Sequence, residues 1–176
     1  MSLSAQSEHI SFSFSVLDYV LFGRAPHLTG LSAPGVRDFE IARGALADAG
    51  IAHLEQRSVT GLSGGETQLV KIARSLAQQT AILLLDEPTS DLDPGNAARV
   101  LDIMKQSHAA GRTLIFTTHD PMLASEAATH AALIQAGSLI YFGPAESALT
   151  SDYLTRLYHA PMQVGELGGR RVIFRE

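Results

Sequence analysis

Residues 81–94 read AILLLDEPTSDLDP. Ala81 to Leu85 is a short, unbroken apolar run. It predicts a strand buried on both faces, as in a parallel sheet. The run stops at Asp86-Glu87-Pro88, the carboxyl end of that strand, which is where open α/β sheets bind ligands. Successive side chains of a strand point to opposite faces, so the two carboxylates cannot face the same way. One can face a metal ion while the other faces a water. That pairing of a Mg2+ partner with a general base suits phosphate hydrolysis. The dipeptide alone would fit a solvated strand end; the apolar run followed by DEPTSDLD does not. Asp93-Pro94 reads as an N-cap followed by proline in the first helical turn.

Downstream, Val100, Leu101, Met104 and His108 form an apolar stripe that ends at Gly111. Thr113 to Thr118 (TLIFTT) reads as a second strand, with a helix from Pro121 to Thr129 after it. Strand, helix, strand, helix is a βαβ pattern and places the chain in the α/β class. Ala131–Gln135 and Leu139–Phe142 flank Ala136-Gly137-Ser138, a hairpin signal. Two short helices are expected next, with Gly165–Arg171 as loose chain.

Upstream, GLSGGETQLVKIARSLAQ (61–78) pairs a bare turn with a helix whose Leu69, Ile72, Ala73 and Leu76 share one face. Ser63-Gly64-Gly65-Glu66 matches a capping box, which by itself needs no ligand. The same groups offer free N–H donors and partial positive charge, and two glycines would let a phosphate approach. The cap alone does not require two glycines, which cost helix stability. Residues 1–14 suggest a strand or extended loop. Val16 to Gly23 reads as a short helix with Val16, Tyr19, Val20 and Gly23 on one side. Arg24 to Gly35 reads as loop, and Val36 to Ala49 as a helix stopped by Gly50.

The 176 residues suffice for one domain with a core, and 45% are apolar. No apolar run approaches the roughly 20 residues of a membrane-spanning helix. A net charge of −5 with two lysines, Lys71 and Lys105, gives no electrostatic case for nucleic acid. The absence of cysteine is compatible with a cytosolic address. His119 follows the strand TLIFTT, a position more often structural than catalytic. The other six histidines show no metal-ligand spacing. Lys71 and Arg74 read as a solvated face or salt-bridge partners.

Taken together, LSGGE (62–66), ILLLDEP (82–88), SDLD (90–93) and TTHD (117–120) resemble the signature, Walker B, D-loop and H-switch of ABC transporter ATP-binding subunits. The resemblance covers roughly residues 4 to 160. It implies a P-loop NTPase-like fold, a mostly parallel sheet flanked by helices plus a helical subdomain. It further implies an ATPase driving transport, with ATP and Mg2+ as cofactors. Gln6 resembles the Q-loop glutamine, and residues 7–58 the helical subdomain that faces the permease. SFSVLDYVLFGRAPHL (13–28) is similar to ATPases importing iron-siderophores, vitamin B12 and related metal chelates. The implied organisation is residues 1–60 for Q-loop and helical subdomain, 61–160 for the rest of the ATPase core, and 161–176 for a tail.

The implied roles are these. Leu62, Ser63, Gly64, Gly65 and Glu66 would meet the γ-phosphate of ATP held by a second ATPase subunit, in a homodimer. Asp86 would hold Mg2+ through water, and Gln6 would link metal and water to the permease surface. Glu87 would activate the attacking water and His119 would contact the γ-phosphate. Asp91 and Asp93 would lie at the dimer seam. Residues 7–35 would meet a membrane permease, placing the chain peripherally on the inner face of the cell membrane. A soluble ABC-type ATPase of DNA repair or translation is the alternative; only 56 residues lie between Gln6 and Ser63, which is short and transporter-like. A non-enzymatic fragment is the other alternative.

Two departures stand out. Glu66 occupies a position usually held by glutamine. The phosphate loop G-x-x-x-x-G-K-[ST] is absent: Lys71 follows Val70 and Lys105 follows Met104. Phosphoryl transfer depends on positioning and charge stabilisation, so these 176 residues alone are expected to bind and turn over little ATP. The resemblance also implies that the strand at 113–118 has an unpaired edge, which invites dimers or swapped pairing.

Overall fold

The computed structural model describes residues 1–5, 12–30 and 32–176. It divides into two compact units, Met1–Thr117 and Thr118–Glu176.

The first unit is built on a three-stranded parallel sheet: β1 (Ser2–Ser4), β2 (Ile82–Asp86) and β3 (Thr113–Thr117), in that order. Register pairs Leu83 with Ser2 and Leu114, and Leu85 with Ser4 and Phe116. These residues share one sheet face, on which Ser2, Ser4, Leu83 and Leu85 are buried. The opposite face carries Leu3, Ile82, Leu84 and Ile115, with Leu3 and Ile115 each 56% exposed. The strand expected to be buried on both sides is therefore buried on one. An all-apolar run looks the same in sequence whether its second face is covered or not. Among the described residues β3 pairs only with β2.

The helices of this unit are α1 (Val16–Leu21), α2 (Val36–Asp48), α3 (Gly64–Ala77) and α4 (Pro94–Ala109). The first three pack on one another. Their core is Val16, Val20, Leu46, Leu69, Val70 and Ile72, all 1% exposed or less. Gly50, at φ +70°, ends α2 as expected. The buried stripe of α4 is Val100, Ile103, Met104 and Ser107, one step away from the expected set. Leu101 is only half-buried and His108 is exposed, so those two positions are corrected.

Phe22–His27 forms a 3-10 helix, carrying helical structure past Gly23 into the stretch from Arg24 where loop was expected. Arg24 accounts for the order. Its guanidinium is buried, with Nε donating to Asp38 Oδ1 at 3.0 Å and Nη1 to the Ala77 carbonyl at 2.8 Å. It neutralises the carboxyl end of α3 while paired to a carboxylate, which offsets the cost of burying a cation. Gly23 meets α3 more closely than any side chain could: a β-carbon there would lie 2.2 Å from the Arg74 carbonyl oxygen. Arg74 stacks 4.8 Å over the Tyr19 ring, and Lys71 is 6% exposed. The solvated face expected for these two cations is instead a packed one.

The second unit contains α5 (Pro121–Ala127), the antiparallel hairpin of β4 (His130–Gln135) and β5 (Ser138–Pro144), α6 (Ala145–Ala148) and α7 (Ser151–Tyr158). A second hairpin follows, β6 (Met162–Leu167) with β7 (Arg170–Arg175). Leu133, Ala148, Leu149 and Leu154 form this unit's core. The stretch 165–171 is thus mostly paired strand, where loose chain was expected. Ile173 is the apolar partner of Val164 and Val172 lies opposite Gly165, while Gly168 and Gly169 take the positive φ of the turn.

Gly23→Ala is expected to lower unfolding free energy by about 1–3 kcal/mol, because backbone on α3 must move. Gly44→Ala, mid-helix with open space around it, is expected to raise it by about 0.5–1 kcal/mol. Urea midpoints of the two variants check both signs.

Candidate functional site

Asp86 is the last residue of β2 and pairs in register with Thr117, the last residue of β3. The Thr117 hydroxyl donates to Asp86 Oδ1 at 2.6 Å and accepts the Glu87 N–H at 3.0 Å. Glu87 takes φ +46°, a left-handed conformation uncommon for a residue with a side chain. The turn is held on its far side too. The Glu87 carbonyl accepts from the Ser90 N–H at 3.2 Å and the Ser90 hydroxyl at 3.0 Å. Both predicted acids therefore sit at the carboxyl edge of the parallel sheet, Asp86 in the pairing and Glu87 just turned out of it.

The chain then runs through Asp91, at φ +59°, to Asp93, which caps α4. Asp93 Oδ1 accepts from the Gly95 N–H at 2.9 Å and the Asn96 N–H at 3.0 Å. The Asn96 amide donates to Asp93 Oδ2 at 2.5 Å. These bonds, the Asn96 backbone first, hold the Asp93 carboxyl below its ordinary range. This connecting loop is tied to α3 by Gln68, whose Nε2 donates to the Pro88 carbonyl at 3.2 Å.

The start of α3 forms the expected capping box. Ser63 Oγ accepts the Glu66 N–H at 3.3 Å, and Glu66 Oε2 accepts the Ser63 N–H at 2.8 Å. The Ser63 backbone bond, with Arg57 3.7 Å away, keeps the Glu66 carboxyl ionised below its ordinary range. The charge of Glu66 is thereby turned back onto its own cap. The two glycines differ. Gly64 has open space where a β-carbon would be, whereas at Gly65 a β-carbon would lie 2.3 Å from the Asn96 side-chain nitrogen. Of the pair expected to admit a phosphate, Gly64 is the open one and Gly65 is packed. A cleft of about 280 Å³ lies beside Gly64, lined by Leu62, Thr67, Gln68, Lys71, Ser90 and Asp91.

In the second unit, His119 is exposed and its backbone is held from two sides. The Tyr158 hydroxyl donates to its carbonyl at 2.8 Å, and the Asp120 N–H donates to Thr118 Oγ1 at 2.9 Å. Asp120 also caps α5 by accepting the Met122 N–H. Gln6 lies outside the described residues. Sequence reasoning missed Thr117, Asn96, Gln68 and Tyr158. Only the polar end of TLIFTT hinted at the first, and the others act through contacts that no local pattern encodes.

The ABC transporter family profile matches residues 4–90. A molybdate import ATP-binding protein of Haemophilus influenzae is 40% identical over 152 residues, covering 86% of this chain and 60% of that protein. An iron chelatin transport ATP-binding protein of Helicobacter pylori is 36% identical over 159 residues, covering 90% and 62%. A solved metal-chelate type ABC transporter in an inward-facing conformation superposes with a TM-score of 0.91 at 34% identity, covering 99% of this chain and 72% of that one. The chain belongs to the ABC transporter ATP-binding family and has its P-loop NTPase-like fold. It spans about three fifths of the length of the curated relatives it matches.

Asp38, Glu66 and Asp93 are all held below their ordinary values, mainly by backbone N–H groups of helix starts. Each binds fewer protons folded than unfolded over the same pH range. Their stabilisation is complete above about pH 5 and is lost as pH falls through and below 4. Urea midpoints measured from pH 6 to 3 are expected to fall, less steeply for Glu66→Gln, which keeps the box without the titrating charge. Gly65→Ala is expected to detach Asn96 from Asp93 and lower the midpoint; Gly64→Ala is expected to leave it within error.

Proposed function

We propose that this chain is part of the ATP-binding subunit of an importer, one that takes up an iron-siderophore or other metal chelate. The observation that carries the proposal is the tandem acid at the carboxyl edge of the parallel sheet, Asp86 in the pairing and Glu87 turned out of it. The names of the iron chelatin relative and the metal-chelate transporter support the substrate class.

The residues fit a magnesium–nucleotide complex. Among the described residues no three or more acids and histidines gather into a metal cage. Mg2+ bound to nucleotide needs only one or two carboxylates, its other positions going to phosphate oxygens and waters. Asp86 would hold it, with Gln6 as the second contact. Bound there, Mg2+ neutralises charge on the phosphate oxygens. Glu87 then acts as general base, accepting a proton from the attacking water. Ser63 and the open Gly64 present the positive end of α3 to a γ-phosphate held by a second subunit, in a homodimer. The Glu66 carboxylate is turned back onto its own cap beside Arg57, which lessens its repulsion of that phosphate. His119, exposed on an anchored backbone, would contact a γ-phosphate, and Asp91 and Asp93 would lie at the subunit seam. Residues 7–35 would meet the permease on the inner face of the membrane. No described helix is long and apolar enough to cross the bilayer.

In the full-length protein, Glu87→Gln is expected to slow ATP hydrolysis by about 10²–10⁴-fold while nucleotide affinity changes little. The 176 residues alone are expected to show no micromolar affinity for ATP with Mg2+ by calorimetry. Unchanged hydrolysis by Glu87→Gln would remove Glu87 from its role. Uptake of a labelled ferric siderophore by vesicles holding the permease and this subunit checks the substrate class.

A further inference from the structure

Thr117 closes β3 with a hydroxyl where valine or isoleucine would serve the strand as well. Its outer position on the open sheet face makes it exposed, so the hydroxyl is not needed to satisfy a buried core. A hydroxyl has a single proton to give. Here that proton goes to Asp86 Oδ1 over 2.6 Å. The oxygen lone pair takes the Glu87 N–H over 3.0 Å. Among the described residues Asp86 Oδ2 has no hydrogen-bond partner, so one oxygen is tethered and the other is left for a ligand. The second bond holds the amide of the residue whose backbone is left-handed. One atom therefore sets both where Asp86 points and where the chain leaves the strand to become Glu87.

We propose that Thr117 is a positioning residue, whose hydroxyl fixes the Asp86 carboxylate and the Glu87 backbone relative to each other. The proposal rests on the ATPase roles given above for the two acids. Its hydroxyl acts through the two carboxylate residues, to which both of its hydrogen bonds go. Loss of a purely structural contact would shift stability and leave the balance between binding and turnover alone. Loss of this clamp would leave MgATP binding to the rest of the site while misplacing the general base, so turnover falls with KM nearly constant.

Thr117→Val removes both bonds at nearly constant shape, and Thr117→Ser keeps them. In the full-length protein, Thr117→Val is expected to lower kcat at least tenfold with KM for MgATP within about threefold. It is also expected to raise several-fold the Mg2+ concentration giving half-maximal rate. Thr117→Ser is expected to retain at least about a third of wild-type kcat. A Thr117→Val protein with unchanged kcat and Mg2+ dependence, or a Thr117→Ser protein as impaired as Thr117→Val, overturns the proposal. The amide of Glu87 gives a second readout that needs no nucleotide. Its hydrogen exchange, followed by NMR, is expected to be slow in wild type and Thr117→Ser, and about tenfold faster in Thr117→Val. Fast exchange in wild type overturns the clamp even if the valine variant does not fold. A protected Glu87 amide in a full-length protein that hydrolyses no ATP would refute the ATPase reading and leave the clamp standing.

Discussion

A parallel strand has to stop pairing somewhere, and in this chain the place where β2 stops is where two adjacent acids stand. Asp86 still pairs with Thr117; Glu87 has already turned to φ +46°. A left-handed residue with a side chain costs on the order of 1 kcal/mol or more, and persists only where its surroundings over-determine it. Here the surroundings are three hydrogen bonds, from Glu87 to Thr117 and from the Ser90 amide and hydroxyl to Glu87. Each contributes about 1 kcal/mol, enough together to hold the turn. The consequence is that two adjacent carboxylates, which strand geometry would separate to opposite faces, leave from the same edge by different routes.

The loop beyond this turn binds the signature helix to the sheet. Gln68 on α3 reaches back to the Pro88 carbonyl, and Gly65 accommodates Asn96, which itself braces the Asp93 cap of α4. The start of α3, the D-loop segment and the start of α4 thus form one continuous set of contacts within a single chain. The capped start of α3 and the acid edge of the sheet are thereby connected through packed side chains.

Burial of charge in this unit follows the same economy. Arg24 is buried because it answers two needs at once, the Asp38 carboxylate and the carboxyl end of α3. Lys71 and Arg74 lie on α3 among packed elements rather than in solvent, Arg74 over an aromatic face. The capping carboxylates Asp38, Glu66 and Asp93 are each spent on backbone donors. Asp86 and Glu87, by contrast, sit at the carboxyl edge of the sheet rather than at a helix cap.

Local patterns determined a good deal. The β2–α4–β3 order, the helix caps at Ser63, Asp93 and Gly50, and the hairpin about Ala136-Gly137 all follow from period and capping chemistry, which act within a few residues. The family was legible for the same reason, since its motifs are contiguous. Local pattern did not determine which sheet face stays open, because Ile82 and Leu84 look no less buried in sequence than Leu83 and Leu85. It could not show that Arg24 orders a 3-10 helix, that Gly65 packs while Gly64 stays open, or that Thr117 bridges both acids. Those depend on residues 30 or more positions apart meeting in space, and only the tertiary structure decides which of them meet.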